Sequence, residues 1–226
     1  MFFKPSRHAR QASAGRAGPN GILPGSTAMT DLHVLMVVQK GDHSLGFYDM
    51  ERGDELERIP LDPFPHEFVL GGDGRHAFIC HFGVALAEDP GPGGNTVSIV
   101  DIHARGQVGT VDCGENRRPH GIDFDEAGRL FVLSEGSSNL LVIGDPFSGA
   151  VDRFQPTGGK GSHILSVTPD GAVAFSVAAE TGLEIMSASA ECAGCQLFTE
   201  HVGASELRGV IVGEHEQDVR AFSRVL

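Results

Sequence analysis

The chain has no tryptophan, one tyrosine and only four cysteines among its 226 residues. Without tryptophan it cannot carry the Trp-Asp signature of a WD-type repeat. Four cysteines are too few for a disulfide scaffold at this length, and Cys192 and Cys195, in "ECAGCQ", lack the second pair that a zinc knuckle needs. That stretch therefore reads as a turn between strands. Basic residues are scarce as well, 17 against 30 acidic ones, for a formal net charge of −13. Four of the 17, Lys4, Arg7, Arg10 and Arg16, lie in the first 30 residues, where there is no acid. The acidic body that remains repels phosphate backbones and anionic lipid, so nucleic acid is not an expected partner.

Long apolar runs are missing too. None approaches the ~20 residues of a membrane span, so a soluble chain is expected. The first 28 residues lack the apolar core of a secretory signal, about 7 to 15 residues long. Residues 1–30 read as a basic extension without fixed structure, with Met29 as an alternative start, and the expected location is the cytoplasm. Neither "GPGG" (91–94) nor "GGKG" (158–161) has the order of a phosphate loop, and no Gly-x-Ser-x-Gly elbow occurs.

What the chain has in quantity is repetition. "PHEFVLGGDGRHAFI" (65–79), "PHGIDFDEAGRLFVL" (119–133) and "SHILSVTPDGAVAFS" (162–176) each carry a histidine second and a glycine eight residues later. His66, His120 and His163 thus align with Gly74, Gly128 and Gly171, and Asp73 aligns with Asp170 while Ala127 stands in the middle copy. The shared glycine marks a turn that needs positive φ. A second set comprises "HSLGFYD" (43–49), "NTVSIVD" (95–101), "NLLVIGD" (139–145) and "TGLEIMS" (181–187), with starts 52, 44 and 42 residues apart. The longest interval contains "ALAEDPGPGG" (85–94), a Pro- and Gly-rich surface loop.

Within one repeat the punctuation reads as four strands: 66–70, 76–82, 96–102 and 107–112. Helical periodicity is nearly absent. Four short antiparallel strands every ~42 to 44 residues is the period of β-propeller blades, each packed face to face on the next with its first strand lining a central channel. The same residues resemble the repeats of YVTN-type β-propellers, in which a Pro-x-x-hydrophobic strand, a Ser-Pro-Asp-Gly turn and a Val-x-Val-Ile-Asp strand recur. "TPDG" (168–171) is the best single match, and the resemblance runs over about residues 32–187.

The resemblance implies an all-β fold of four-stranded blades over residues 31–201, with 202–226 as degenerate or closing strands. Relatives commonly have seven blades, which needs about 300 residues at this period, whereas some four to five blades are expected here. Three arrangements fit that number. The preferred one is a truncated seven-bladed propeller; the others are a small ring closed by "GVIVG" (209–213), and partial rings that pair.

Symmetry places His66, His120 and His163 at equivalent heights around one end of the channel. A ring of neutral imidazoles is a candidate site for a divalent metal, Zn or Cu. In a wide ring equivalent atoms stand many ångströms apart, so a shared ion requires a narrow channel. The competing reading is structural, with each histidine bonding a neighbouring blade's backbone. Glu67 and Asp123 are the carboxylates nearest that end, and His81 reads as an inter-blade hydrogen-bond donor. The expected role is a binding or scaffold module whose channel end meets a protein or small-molecule ligand. The alternative is a metal-assisted hydrolase of the lactonase type, with His and carboxylate activating water. No catalytic residue is assigned, and an enzyme is the less favoured reading.

Overall fold

The computed structural model describes residues 33–178, 182–187 and 200–202. The basic extension, "GVIVG", most of the tail and the Cys192/Cys195 pair lie outside the described residues. Among the described residues there is no α-helix, and no helix long and apolar enough to cross a membrane.

Among the described residues fifteen strands form four antiparallel sheets, each joining its strands in chain order. The first sheet has three: β1 (Val34–Gln39), β2 (Ser44–Asp49) and β3 (Glu55–Pro60). The second has four: β4 (Pro65–Leu70), β5 (His76–His81), β6 (Thr96–Asp101) and β7 (Gly106–Asp112). The third comprises β8 (Pro119–Phe124), β9 (Leu130–Ser134), β10 (Asn139–Ile143) and β11 (Arg153–Pro156). The fourth comprises β12 (Ser162–Val167), β13 (Val173–Ala178), β14 (Gly182–Ser187) and β15 (Glu200–Val202). The four strands read from the repeat fall within a residue or two of β4 to β7.

The sheets pack face to face, which is why the middle strands of the third sheet are buried on both sides. In β9 and β10, "LFVLS" and "NLLVI" are buried at every position but Asn139. Strand period sends alternate side chains to opposite faces. Leu130, Val132, Leu141 and Ile143 join Phe78, Cys80, Val97 and Ile99 of the second sheet. Phe131, Leu133, Leu140 and Val142 meet Leu165, Ala174 and Met186 of the fourth. Leu45 and Phe47 of the first sheet meet Ile79 and Val100 of the second.

This packing corrects the second set of aligned columns by one residue. Leu45 and Phe47, then Val97 and Ile99, face the following sheet, and in the third sheet Leu140 and Val142 do so. Ser44 and Thr96 therefore correspond to Asn139, not to Leu140 as the terminal aspartates suggest. A one-residue slip would exchange the two faces, and burial on both sides fixes the register.

The turns explain the recurrent glycine and aspartate. Gly74, Gly128 and Gly171 have φ of 64°, 82° and 66°. Beside them, Asp73 Oδ1 accepts from the backbone amides of Arg75 and His76, and Asp170 Oδ1 from that of Ala172. The middle copy, with Ala127 in that column, uses Asp125 instead: its Oδ1 accepts from the Arg129 amide at 2.9 Å. Asp49 and Asp101 close the later turn by accepting from the amides two and three residues on.

Candidate functional site

The first strands adjoin, β4 against β8 and β8 against β12. Each carries an irregularity at the repeated histidine. Between Pro65 and Phe68, Pro119 and Ile122, and Ser162 and Ile164, the first strand holds one residue more than its partner. His66, His120 and His163 sit in these β-bulges, which twist a strand and re-aim a side chain.

The result is a column of imidazoles. The His66 and His120 ring centroids are 4.1 Å apart, and those of His120 and His163 3.8 Å, inclined at 45° and 34°. The spacing of many ångströms expected for neighbouring repeats is thus corrected, and a small residue is one reason. Gly121 follows His120, and a Cβ there would lie 2.8 Å from both the His163 carbonyl oxygen and the Leu165 amide nitrogen. Without that Cβ, β12 comes up against β8.

The three histidines do not share one centre. Two overlapping groups bring ligand atoms within 4.8 Å of one another: His66, Glu67 and His120, and His120, Glu135 and His163. His120 belongs to both. Its Nδ1 donates to the His163 carbonyl at 3.0 Å and stands 3.5 Å from Glu67 Oε1. Both neighbours are acceptors, so Nδ1 carries the proton and Nε2 is a bare lone pair. Nε2 is buried and has no hydrogen-bond partner. His163 Nδ1 lies 2.8 Å from Glu135 Oε2.

Three unlike side chains line the column. Lys40, Phe82 and Glu135 occupy corresponding places in three successive sheets, immediately after β1, β5 and β9, the strands that lead into β2, β6 and β10. Lys40 sets its charge near His66, Phe82 presents its ring to His120 edge-to-face at 5.5 Å, and Glu135 pairs with His163. Lys40 Nζ also lies 4.9 Å from the Phe82 ring centre. Burial first, then Lys40 and the neighbouring imidazoles, which oppose a further positive charge, depress His66 to about 4 and His120 to about 3, so both are neutral at pH 7. Burial pushes the Glu67 carboxyl upward. It lowers the Lys40 ammonium as well, against the pull of Glu135 and Asp89.

Other residues singled out in the sequence have structural bonds. Both His81 ring nitrogens are engaged, with the Asp62 carbonyl at 3.0 Å and Ser98 Oγ at 2.8 Å. Asp123 belongs to neither histidine group. It accepts from the Val167 amide at 2.8 Å, tying β8 to β12. Cys80 and Cys113 are free and buried; burial raises both thiols, Cys113 to about 12. The inserted loop is fastened over this end by Arg118, whose guanidinium donates to the carbonyls of Ala87, Asp89 and Gly91.

Glu135, Lys40 and Phe82 were not found from the repeat, because they are unlike one another and no shared letter marks the column. The available signal was positional, since each ends an apolar strand.

Neither a protein-family profile nor a curated protein matches the sequence. Among solved structures, the chain is similar to hydrazine synthase of Kuenenia stuttgartiensis, with a TM-score of 0.56 and 19% identity, over 74% of this chain and 49% of that one. At that identity the likeness concerns the fold alone. The chain spans about half the length of that neighbour.

Proposed function

We propose that the four sheets are blades of a YVTN-type β-propeller, and that the chain is a binding module whose ligand site is the end carrying His66, His120 and His163. Supporting the architecture are the strands joined in chain order, four to a sheet in three of the four sheets, the face-to-face packing and the adjoining first strands. The ligand proposed is a divalent ion, Zn or Cu, held at one of the two histidine groups that share His120; a protein or small molecule would meet the site through it. The observation that carries this is the buried, unpartnered Nε2 of a neutral His120 inside an imidazole column. A buried lone pair without a donor is costly, and a metal ion satisfies it without a proton.

The test is metal analysis after purification, followed by melting with and without one equivalent of Zn²⁺. Stoichiometric zinc and a rise in Tm that a chelator reverses are expected. A protein that neither retains nor is stabilised by Zn²⁺ or Cu²⁺ would sink the reading. A second reading, a lactonase-type hydrolase, is favoured by the Glu135 and His163 pair, since a carboxylate-oriented imidazole is suited to take a proton from water. Turnover of a simple γ-lactone, lost in His163→Ala, would support it.

The buried imidazoles also make the metal-free protein acid-sensitive. In the unfolded chain His66 and His120 take up protons near their ordinary pKa of ~6.5, whereas the folded chain resists until about 4 and about 3. The unfolded state therefore binds more protons as pH falls below ~6.5, and stability falls with it. The slope contributed by His120 is at most about 1.4 kcal/mol per pH unit, and half-exposed His66, screened by water, adds less. Urea unfolding at pH 7 and pH 5 should show the loss, with a shallower dependence in His66→Ala.

A further inference from the structure

The proposed ion has three candidate imidazoles, and the bonds already present divide them. A metal-ligating histidine usually donates its other ring N–H to a carbonyl or carboxylate, which fixes the tautomer and aims the free nitrogen. His120 is held in this way by the His163 carbonyl, at 3.0 Å from Nδ1. His163 is held in this way by Glu135, whose carboxylate Oε2 is 2.8 Å from Nδ1. A carboxylate and a carbonyl both accept only, so both rings keep Nδ1–H and present Nε2. His66 makes ring contacts with Phe82 and His120, and among the described residues no hydrogen bond orients it.

We infer that the ion is held chiefly by Nε2 of His120 and of His163, with Glu135 as the outer carboxylate that positions His163 and His66 as a peripheral ligand at most. This rests on the metal-binding reading above and deepens it. The stacked rings bring the two ligands side by side, at a 3.8 Å centroid separation. Ligand atoms of His120, Glu135 and His163 lie within 4.8 Å of one another. Two nitrogens on a tetrahedral zinc, each about 2.0 to 2.1 Å from the ion, stand about 3.4 Å apart, so the ring planes, inclined at 34°, open on binding to bring both in-plane lone pairs to one ion. Glu135 is well placed for its part: its side chain is only 12% exposed, and its negative charge offsets part of the ion's. Coordination positions left by the two imidazoles fall to water or to a ligand.

The experiment is calorimetric titration of the full chain with Zn²⁺, repeated with Co²⁺ so that the visible absorption reports the coordination geometry. His163→Ala should weaken Zn²⁺ binding by more than about 100-fold, beyond the roughly 10–100-fold range of an outer partner. Its main-chain carbonyl, and therefore His120's tautomer, stays in place. Glu135→Leu should cost that ~10–100-fold, and Glu135→Gln, whose amide oxygen still accepts from Nδ1–H, should recover most of it. His66→Ala should cost less than about tenfold. Melting curves of each metal-free variant separate a binding loss from a folding loss.

If wild-type protein binds Zn²⁺ but His66→Ala is as costly as His163→Ala, or Glu135→Leu changes nothing, the division of roles is overturned and the metal-binding reading survives. If wild-type protein binds neither Zn²⁺ nor Co²⁺, that reading falls and takes this inference with it.

Discussion

Replacing Gly121 by valine should cost about 3 kcal/mol of stability and separate the imidazole column. A Cβ at this position would be 2.8 Å from the His163 carbonyl oxygen, 2.8 Å from the Leu165 amide nitrogen and 3.0 Å from Leu165 Cβ. Two of those atoms are backbone of β12, so no rotamer change relieves the clash and the strands must part. Inserting bulk where the surroundings cannot yield costs about 1 to 3 kcal/mol, and the γ-methyl groups of valine push this case to the upper end. The carbonyl pushed away is the acceptor for His120 Nδ1. The substitution should therefore weaken Zn²⁺ binding as well, through that backbone acceptor and without altering a ligand side chain. Denaturant unfolding and zinc titration of the same sample check both effects. An unchanged melting curve would mean that β8 and β12 are not in the close contact described.

Phe131→Ala should cost about 3 to 5 kcal/mol, the range for emptying a buried aromatic site. Phe131 is fully buried and packs with Leu133, Leu140 and Val142 of its own sheet and Leu165, Ala174 and Met186 of the next. The cavity lies between two sheets, each braced by its own hydrogen bonds, so neither collapses readily onto it. Val108→Ala is the control: that side chain is 55% exposed, and its loss should fall within about 0.5 kcal/mol. Unfolding midpoints in urea at constant m-value report the difference. If the two variants lose equal stability, the third and fourth sheets are not packed as described.

The repeat made the sheets legible because backbone conformation leaves a literal trace. A turn at positive φ selects glycine, so Gly74, Gly128 and Gly171 could be aligned by eye, and the strand between turns comes with them. Aspartate was a poorer guide. Asp73 and Asp170 serve the same turn, but Asp125 does that work from a different position in the middle copy, because a side-chain acceptor can reach the same amides from more than one place. The same tolerance misled the register of β10, where alignment on Asp145 moves every side chain to the wrong face. Burial on two sides, which the letters of "NLLVI" do not distinguish, was needed to set it.

The candidate site was legible only in half. Recurrence of histidine announced one wall of it, while the facing wall consists of Lys40, Phe82 and Glu135, three residues with nothing in common but their place. Their difference is what gives three similar imidazoles unlike surroundings, next to a cation, an aromatic edge and an anion. Spacing along the chain also could not give the distance across it, since that depends on one missing Cβ at Gly121.

The bulges at His66, His120 and His163 separate inheritance of the scaffold from inheritance of the site. A residue held outside the ladder has no cross-strand partner to match, so changing it leaves the facing of every other side chain in its strand intact. A lineage of such repeats is free to exchange these positions one at a time, trying new chemistries while the interior stays under its own selection. The three repeats already differ in what their rings meet: His163 pairs with Glu135, while His66 and His120 lie against Phe82.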